Sequence, residues 1–396
     1  MSFDTSITSF DTPIDRRGTH CSKWDTMEKL FGVSPDTGIA MWVADMDFPA
    51  PRVVQDAVQG MVDHGIFGYF GDETEYRAAI CWWMENRHGW AVNPDHIFTT
   101  HGLVNGTAMC IDAFTQPGDG VILFTPVYHA FARVISAAGR EVVECPLKNV
   151  DGRYAMDFDA YEAQMTGNEK MLILCSPHNP GGTVWSRAEL QTVADFAIRH
   201  DLVLVSDEIH HDLVMPGKRH IAMALLDGIS DRLVMMTATT KTFNIAGSHS
   251  GNVIIADDKL RARFATRMAA LGLSANSFGL FMATAAYSQE GAAWVDDLVA
   301  YLDGNRQLFD AAINAIPGLK SMPLEATYLA WVDFDDTGMS RDEITTRIQK
   351  NAGIAANHGI SFGKGGESFM RFNLGTPRAR VEDACNRLAE AFKDLQ

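Results

Sequence analysis

The sequence predicts an α/β protein built on a largely parallel sheet with helices on both faces, joined to a smaller α+β piece. Short, uninterrupted apolar runs recur at Val121-Ile122-Leu123-Phe124, Met171-Leu172-Ile173-Leu174-Cys175, Leu202-Val203-Leu204-Val205 and Leu233-Val234-Met235-Met236, each bounded by turn residues. Strands buried on both faces read this way, whereas half-solvated strands alternate. Helical spacing fills the stretches between them, and beyond Pro317-Gly318 the pattern becomes a mixture of strands and helices. A chain of 396 residues has room for two domains, and the pattern places a large one at 46–285 and a small one at 1–45 plus 286–396.

Taken in order, residues 1 to about 50 read as irregular. They include Trp42-Val43-Ala44-Asp45-Met46-Asp47-Phe48-Pro49, more acidic and aromatic than a linker requires, and Pro49 and Pro51 prevent a helix through this point. Val53, Val54, Ala57, Val58 and Met61 then give a helix from Pro51 to about Asp63. The glycines of Gly65-Ile66-Phe67-Gly68-Tyr69-Phe70-Gly71 mark a loop with exposed aromatics, followed by a helix around Tyr76 to Arg87. A strand at His96 to Thr100 leads into His101-Gly102-Leu103-Val104. Glycine between a strand and a helix start lets the amides of Gly102, Leu103 and Val104 approach an anion; a plain tight turn is the alternative.

Ser186 to His200 reads as a helix capped by its serine, with Glu189 at the third helical position. A strand at Asn252 to Ala256 precedes a helical region from Asp258 to about Ala315. The remainder gives strands near Thr327 to Asp333 and Ser368 to Leu374, and helices near Ser340 to Asn351 and Ala379 to Leu395.

With 46% hydrophobic and 21% charged residues, the composition is that of a globular enzyme. A formal net charge of -17 argues against nucleic acid or anionic membranes as partners, since both would repel the surface. No apolar stretch approaches the length of a membrane span, and the N-terminus lacks the basic and apolar regions of a signal peptide. Six scattered cysteines show no Cys-x-x-Cys pair, and a reducing cytoplasm is the expected compartment.

Open α/β sheets bind ligands beyond the carboxyl ends of their strands. Four polar or aromatic segments stand at such ends: Thr125-Pro126-Val127-Tyr128, Ser176-Pro177-His178-Asn179-Pro180-Gly181-Gly182, Ser206-Asp207-Glu208-Ile209-His210, and Thr239-Thr240-Lys241-Thr242-Phe243-Asn244. Any one alone could be a structural turn. Asp207-Glu208-Ile209-His210-His211-Asp212 is rich in metal-ligand types, but adjacent strand residues face opposite ways and no distant cluster completes a site. No metal is therefore expected, and His211 and Asp212 read as loop polars. Arg371 sits in a predicted strand with apolar neighbours, where its guanidinium needs either a salt-bridge partner or a substrate carboxylate.

Together these segments resemble the class I/II aminotransferase group of fold-type I pyridoxal-phosphate enzymes over nearly the whole chain. Asp45-Met46-Asp47-Phe48, Phe67-Gly68-Tyr69, Thr125 to Tyr128, Ser206 to His210, Lys241 to Asn244 and Tyr328-Leu329-Ala330-Trp331 are most similar to the MalY/PatB-type carbon-sulfur β-lyase branch. The resemblance implies a seven-stranded, mostly parallel sheet and pyridoxal 5'-phosphate as cofactor. It implies Lys241 as the lysine that holds the cofactor and then removes the substrate α-proton. Asp207 pairs with the pyridine nitrogen, Asn179 and His210 contact the ring oxygen, and Tyr128 stacks on the ring. Gly102, Leu103, Val104 and Thr240 hold the phosphate, and Arg371 with Asn179 takes the substrate carboxylate.

By the same resemblance Tyr69 reaches the phosphate of the neighbouring subunit, which implies a homodimer; read alone, Tyr69 is an interface or core aromatic. Two positions depart from the pattern. His249 stands where many relatives have a phosphate-binding arginine or lysine, and Ala238 where serine is common. Histidine can donate to phosphate, but its charge depends on pH. The expected reaction is β-elimination from a cysteine-type amino acid, with cystathionine the first substrate to try. The alternatives are transamination with a 2-oxo acid and a non-catalytic regulatory protein of the same fold.

Overall fold

The computed structural model describes residues 10–395; the first nine residues, which carry the signal-peptide reading, and Gln396 lie outside them. Seven strands form one sheet: β1 (Ile97–Thr100), β2 (Gly120–Thr125), β3 (Glu141–Pro146), β4 (Glu169–Cys175), β5 (Val203–Asp207), β6 (Leu233–Thr237) and β7 (Gly251–Ile254). Their order is β1-β7-β6-β5-β4-β2-β3. Neighbours run parallel except at β7, which is antiparallel to both β1 and β6. The expected largely parallel α/β sheet is therefore present.

Alternation along each strand divides the core between two faces. Ile122, Leu172, Leu204 and Met235 pack with Leu190, Val193 and Ala197 on one side. Val121, Ile173, Val205 and Val234 pack with Cys110, Ile111 and Phe131 on the other. Each such side chain, fully buried, contributes about 1.5–3 kcal/mol, and burial on both faces explains why these strands carry no polar alternation. The edge strand β3 was not expected, because Glu141-Val142-Val143-Glu144-Cys145-Pro146 is half-solvated and never forms an apolar run. Helix Arg187–Arg199 begins as expected: Ser186 Oγ accepts from the Glu189 amide, and the Glu189 carboxylate accepts from the Ser186 amide at 2.7 Å.

A second, antiparallel sheet contains β8 (Lys320–Ser321), β9 (Leu329–Asp333), β10 (Asn357–His358) and β11 (Phe369–Asn373) in the order β8-β9-β11-β10. The helical region after Asp258 is three helices, Asp258–Leu271, Ser277–Ala286 and Gln289–Asn314. Gly272 stops the first in a left-handed conformation, and the Ser288 side chain caps the third. The expected helix at 340–351 is α-helical only over Arg341–Thr345 and continues as a π-helical turn, Thr346–Asn351.

The N-terminal region is more ordered than expected. It forms short helices at Ser22–Asp25 and Met27–Phe31, and Ile39–Ala40 pairs in parallel with Ile354–Ala355. Residues 42–48 then run as a strap between the two sheets. Asn373, on β11, donates to the carbonyls of Val43 (2.6 Å) and Asp45 (2.8 Å). Asn244, just past β6, donates to those of Met46 (2.9 Å) and Phe48 (2.7 Å) and accepts from the Met46 amide. A buried ion pair between Lys23 and Asp47 (2.9 Å) fixes the strap from behind. Among the described residues no helix is long and apolar enough to cross a membrane.

Candidate active site

Parallel strands deliver their carboxyl ends to one edge of the sheet, and there the residues singled out from the sequence converge. Asp207 is the last residue of β5. Next to it, β6 ends at Thr237, Ala238 stays extended, and the chain winds into a single helical turn, Thr239–Thr242, that carries Lys241. A cavity of about 380 Å³ is lined by Lys241, Asp207, Asn179, His210, Tyr128, Gly102, Leu103, Val104, Thr240, His249 and Arg371. Tyr69 is the exception: it lies outside this cavity, on the loop between helices Arg52–His64 and Thr74–His88, and is fully exposed.

The lysine Nζ donates to the Ala44 carbonyl of the strap at 2.6 Å. Burial, helped by the Arg371 charge, pushes its amine down to about 8, against the opposing pull of Asp45 and Asp207. A lysine so tuned has a substantial neutral fraction near physiological pH, as a nucleophile toward a carbonyl requires.

Two further charges are buried without a counter-ion. Burial pushes the Asp207 carboxyl up to about 7, with neighbouring Glu208 adding to the effect, although the Ile209 amide donates to it at 3.1 Å. No ion pair reaches it among the described residues. Across the cavity, Arg371 donates to Asn179 Oδ1 (2.9 Å), the Trp42 carbonyl (2.8 Å) and Asn357 Oδ1 (2.8 Å), and its face lies over the Phe362 ring. Among the described residues its Nε has no partner and no carboxylate pairs with it, and burial pulls it down to about 10. An isolated buried charge is expensive, so this pair reads as one cation site and one anion site awaiting a ligand.

The anion cradle is also formed. Gly102, at φ 85, ends the connection from β1, and among the described residues no side chain caps the helix Leu103–Phe114 that follows. Its first amides are left open beside the cavity, at the positive end of the helix. Gly251 of β7 comes so close that a Cβ there would lie 3.1 Å from the Leu103 nitrogen. His249, in a left-handed conformation, and Thr240 complete this wall, whereas Ala238 is buried and supplies no cap. His210 is buried with Nδ1 unpartnered and is held well below the usual histidine range by burial and the charges of Lys241 and Arg371. Tyr128 forms a side wall, its ring edge-on to Phe131.

This donor set fits pyridoxal phosphate: a buried carboxylate for a pyridinium nitrogen, an amine of lowered basicity for an aldehyde, open helix amides for a phosphate and a spare guanidinium for a carboxylate. Sequence reasoning missed several walls. Trp42, Val43 and Ala44 contribute their backbone, and only their unusual composition hinted at a role. Asn357 arrives through its pairing with Arg371 across β10 and β11, and His101, His129 and Ile209 gave no signal. His211 and Asp212 lie in a turn, as expected, but are buried together with His88.

Residues 43–388 match the family model for aminotransferase class I and II, and the chain belongs to that family. Within it, the chain is 40% identical over 388 residues to cystathionine β-lyase PatB of Bacillus subtilis, covering 97% of this chain and all of that one. Cystalysin of Treponema denticola, whose crystal structure contains pyridoxal 5'-phosphate, superposes with a TM-score of 0.93 at 35% identity, over 98% of this chain and 100% of that chain. A pyridoxal-phosphate-bound C-S lyase of Staphylococcus hominis, complexed with L-cycloserine, gives 0.89 at 30% identity over 98% and 100%.

Proposed function

We propose that this protein is a pyridoxal-phosphate-dependent carbon-sulfur β-lyase that converts cysteine S-conjugates and water to thiol, pyruvate and ammonia. The pair of buried, unmatched charges, Asp207 and Arg371, that line the cavity with Lys241 supports the cofactor and an amino-acid substrate, and the 40% identity to cystathionine β-lyase PatB supports elimination over transamination. When bound, pyridoxal phosphate supplies an electron sink for the pair released at the substrate α-carbon. Lys241 holds the cofactor and then takes the α-proton on Nζ, for which its lowered basicity suits it. Asp207 stays ionised once a pyridinium faces it. Arg371 and Asn179 grip the α-carboxylate and turn the α-hydrogen toward Lys241. Tyr128 and His210 hold the ring in place, and Gly102, Leu103, Val104, Thr240 and His249 hold the phosphate.

Two domains, 46–285 and 1–45 plus 286–396, complete the reading, with the cavity where they meet. The enzyme acts as a homodimer. Ile66, Phe67 and Tyr69 form an exposed apolar tip, Phe67 resting on Phe278, and such a tip on an otherwise acidic surface suits a second copy of the chain. Tyr69 then serves the partner's phosphate. Six free cysteines suit a reducing cytoplasm.

Incubation of the holoenzyme with S-methylcysteine or cystathionine tests the activity. Pyruvate released with equimolar thiol is the expected result. A 2-oxo acid formed without thiol, and only when a second 2-oxo acid is supplied, would make the protein an aminotransferase. Mixed dimers of Tyr69→Phe and Lys241→Ala chains test the shared site: each hybrid keeps one intact centre if Tyr69 serves the partner's phosphate and none if it serves its own.

A further inference from the structure

The turn after β5 divides its side chains between two sides. Asp207 and His210 line the cavity, whereas Glu208, His211 and Asp212 are buried behind it. Asp212 Oδ1 accepts from Trp83 Nε1 at 2.9 Å and lies 2.8 Å from His88 Nε2. Its Oδ2 accepts from Thr242 Oγ at 2.9 Å and faces His211 Nε2 at 3.2 Å. One carboxylate therefore joins three elements: the helix Thr74–His88, the turn that begins at Asp207, and the single helical turn that carries Lys241.

Protons account for every contact. His211 Nδ1 faces the Glu208 carbonyl, which can only accept, so Nδ1 bears a proton. Its Nε2 faces the Asp212 carboxylate at ion-pair distance without an aligned hydrogen bond, and the anion there favours a second proton. Burial opposes that charge, but Asp212 and the Glu208 carbonyl raise His211 above its ordinary value. For Asp212, burial is likewise outweighed by His211 and His88, which hold it well below the carboxylate range. His88 is pushed down to about 4 by burial and by the charge on His211, and so donates as a neutral ring. Glu208 is occupied with Ser206, the Met223 amide and His220. The nitrogens and oxygens of His88, His211 and Asp212 lie within 4.8 Å of one another. His88 Nε2 and Asp212 stand at hydrogen-bond separation, 2.8 Å, and His211 Nε2 and Asp212 at ion-pair separation, 3.2 Å, without an aligned hydrogen bond.

We propose that Asp212, paired with His211, is a positioning residue that acts through Thr242 to fix the Lys241 amine relative to Asp207. It rests on Lys241 being the lysine that holds the cofactor. The test uses holoenzyme carrying Thr242→Val, Thr242→Ser or Asp212→Asn. Thr242→Val removes only the hydroxyl that ties the lysine turn to the carboxylate. It is expected to lower kcat for S-methylcysteine about 10- to 100-fold with KM changed by less than about twofold. It should also shift the pH midpoint of the visible absorption of the lysine-bound cofactor, and Thr242→Ser should restore both. Asp212→Asn should repeat the loss.

The proposal is overturned if Thr242→Val lowers only the melting temperature and leaves kcat and the midpoint unchanged. It is equally overturned if the purified enzyme carries one metal ion per chain whose removal by a chelator reproduces Asp212→Asn. Borohydride reduction that fixes the cofactor to a residue other than Lys241 would instead remove the lysine assignment itself, a failure that no Thr242 result can mimic.

Discussion

Arg371→Lys isolates the substrate-carboxylate interaction. The guanidinium has five N–H donors, and three are spent on Asn179, the Trp42 carbonyl and Asn357. Those three bonds hold the planar group against Phe362, so its orientation is set before substrate arrives. A carboxylate can take the unspent donor on the terminal nitrogen that bonds Asn179, and a second as it displaces one of the two asparagine oxygens. Two charge-assisted hydrogen bonds at about 1.5–3 kcal/mol each amount to roughly 3–6 kcal/mol, or a factor of about 10² to 10⁴ in kcat/KM. Lysine keeps the charge but not the fork, and it cannot satisfy Asn179, Trp42 and Asn357 while reaching a ligand. The assay is thiol release from S-methylcysteine, run beside the decarboxylated amine. Arg371→Lys should lose most of kcat/KM for the amino acid and little for the amine. If kcat/KM for the amino acid stays within about threefold of the parent, with cofactor bound, the guanidinium does not grip the carboxylate.

Further expectations follow from the buried charges and from one turn. Asp207 is raised from 3.8 to about 7 in the folded apoenzyme; its contribution to stability is therefore present at pH below 3.8 and lost as pH rises through about 7. Apoenzyme carrying Asp207→Asn should lose this pH dependence in thermal unfolding, and the holoenzyme variant should lose activity. The Lys241 amine, lowered to about 8, should attach cofactor at a rate that climbs with pH and levels off above about 8, followed by absorbance after mixing; Lys241→Ala should abolish both attachment and elimination. Gly182 sits at φ 67 with space for no more than hydrogen, since a Cβ would stand 2.4 Å from Leu324 Cδ1 and 3.2 Å from the Ala326 carbonyl. Gly182→Ala should destabilise the protein by about 1–3 kcal/mol in chemical denaturation.

What could be read in the sequence follows from where water is absent. The central strands are buried on both faces, so their apolar runs stand out, and the polar residues that end them mark the site. Strand β3 is half-solvated and its alternation was too weak to separate from a loop. The backbone walls at Trp42, Val43 and Ala44 carry their function in carbonyl groups, which every residue has, so no side-chain pattern betrays them. Asp212 was passed over for a different reason: its partners come from residues 83, 88, 211 and 242, and only the fold brings them together.

The strap also bears on how the protein is made. Trp42 and Arg371 are separated by 329 positions, Val43 and Asn373 by 330, and Ala44 and Lys241 by 197. A ribosome releases the strap early, yet the carbonyls of Trp42, Val43 and Asp45 find their β11 donors only when that strand, near the end of the chain, has emerged. Contacts of such long range close late, after the entropy of a very large loop has been overcome. Until then the central strands can collapse around their apolar runs while the catalytic pocket stays open on one side. Competence for catalysis thus arrives as a last docking event, and cofactor uptake during refolding should lag behind the recovery of secondary structure.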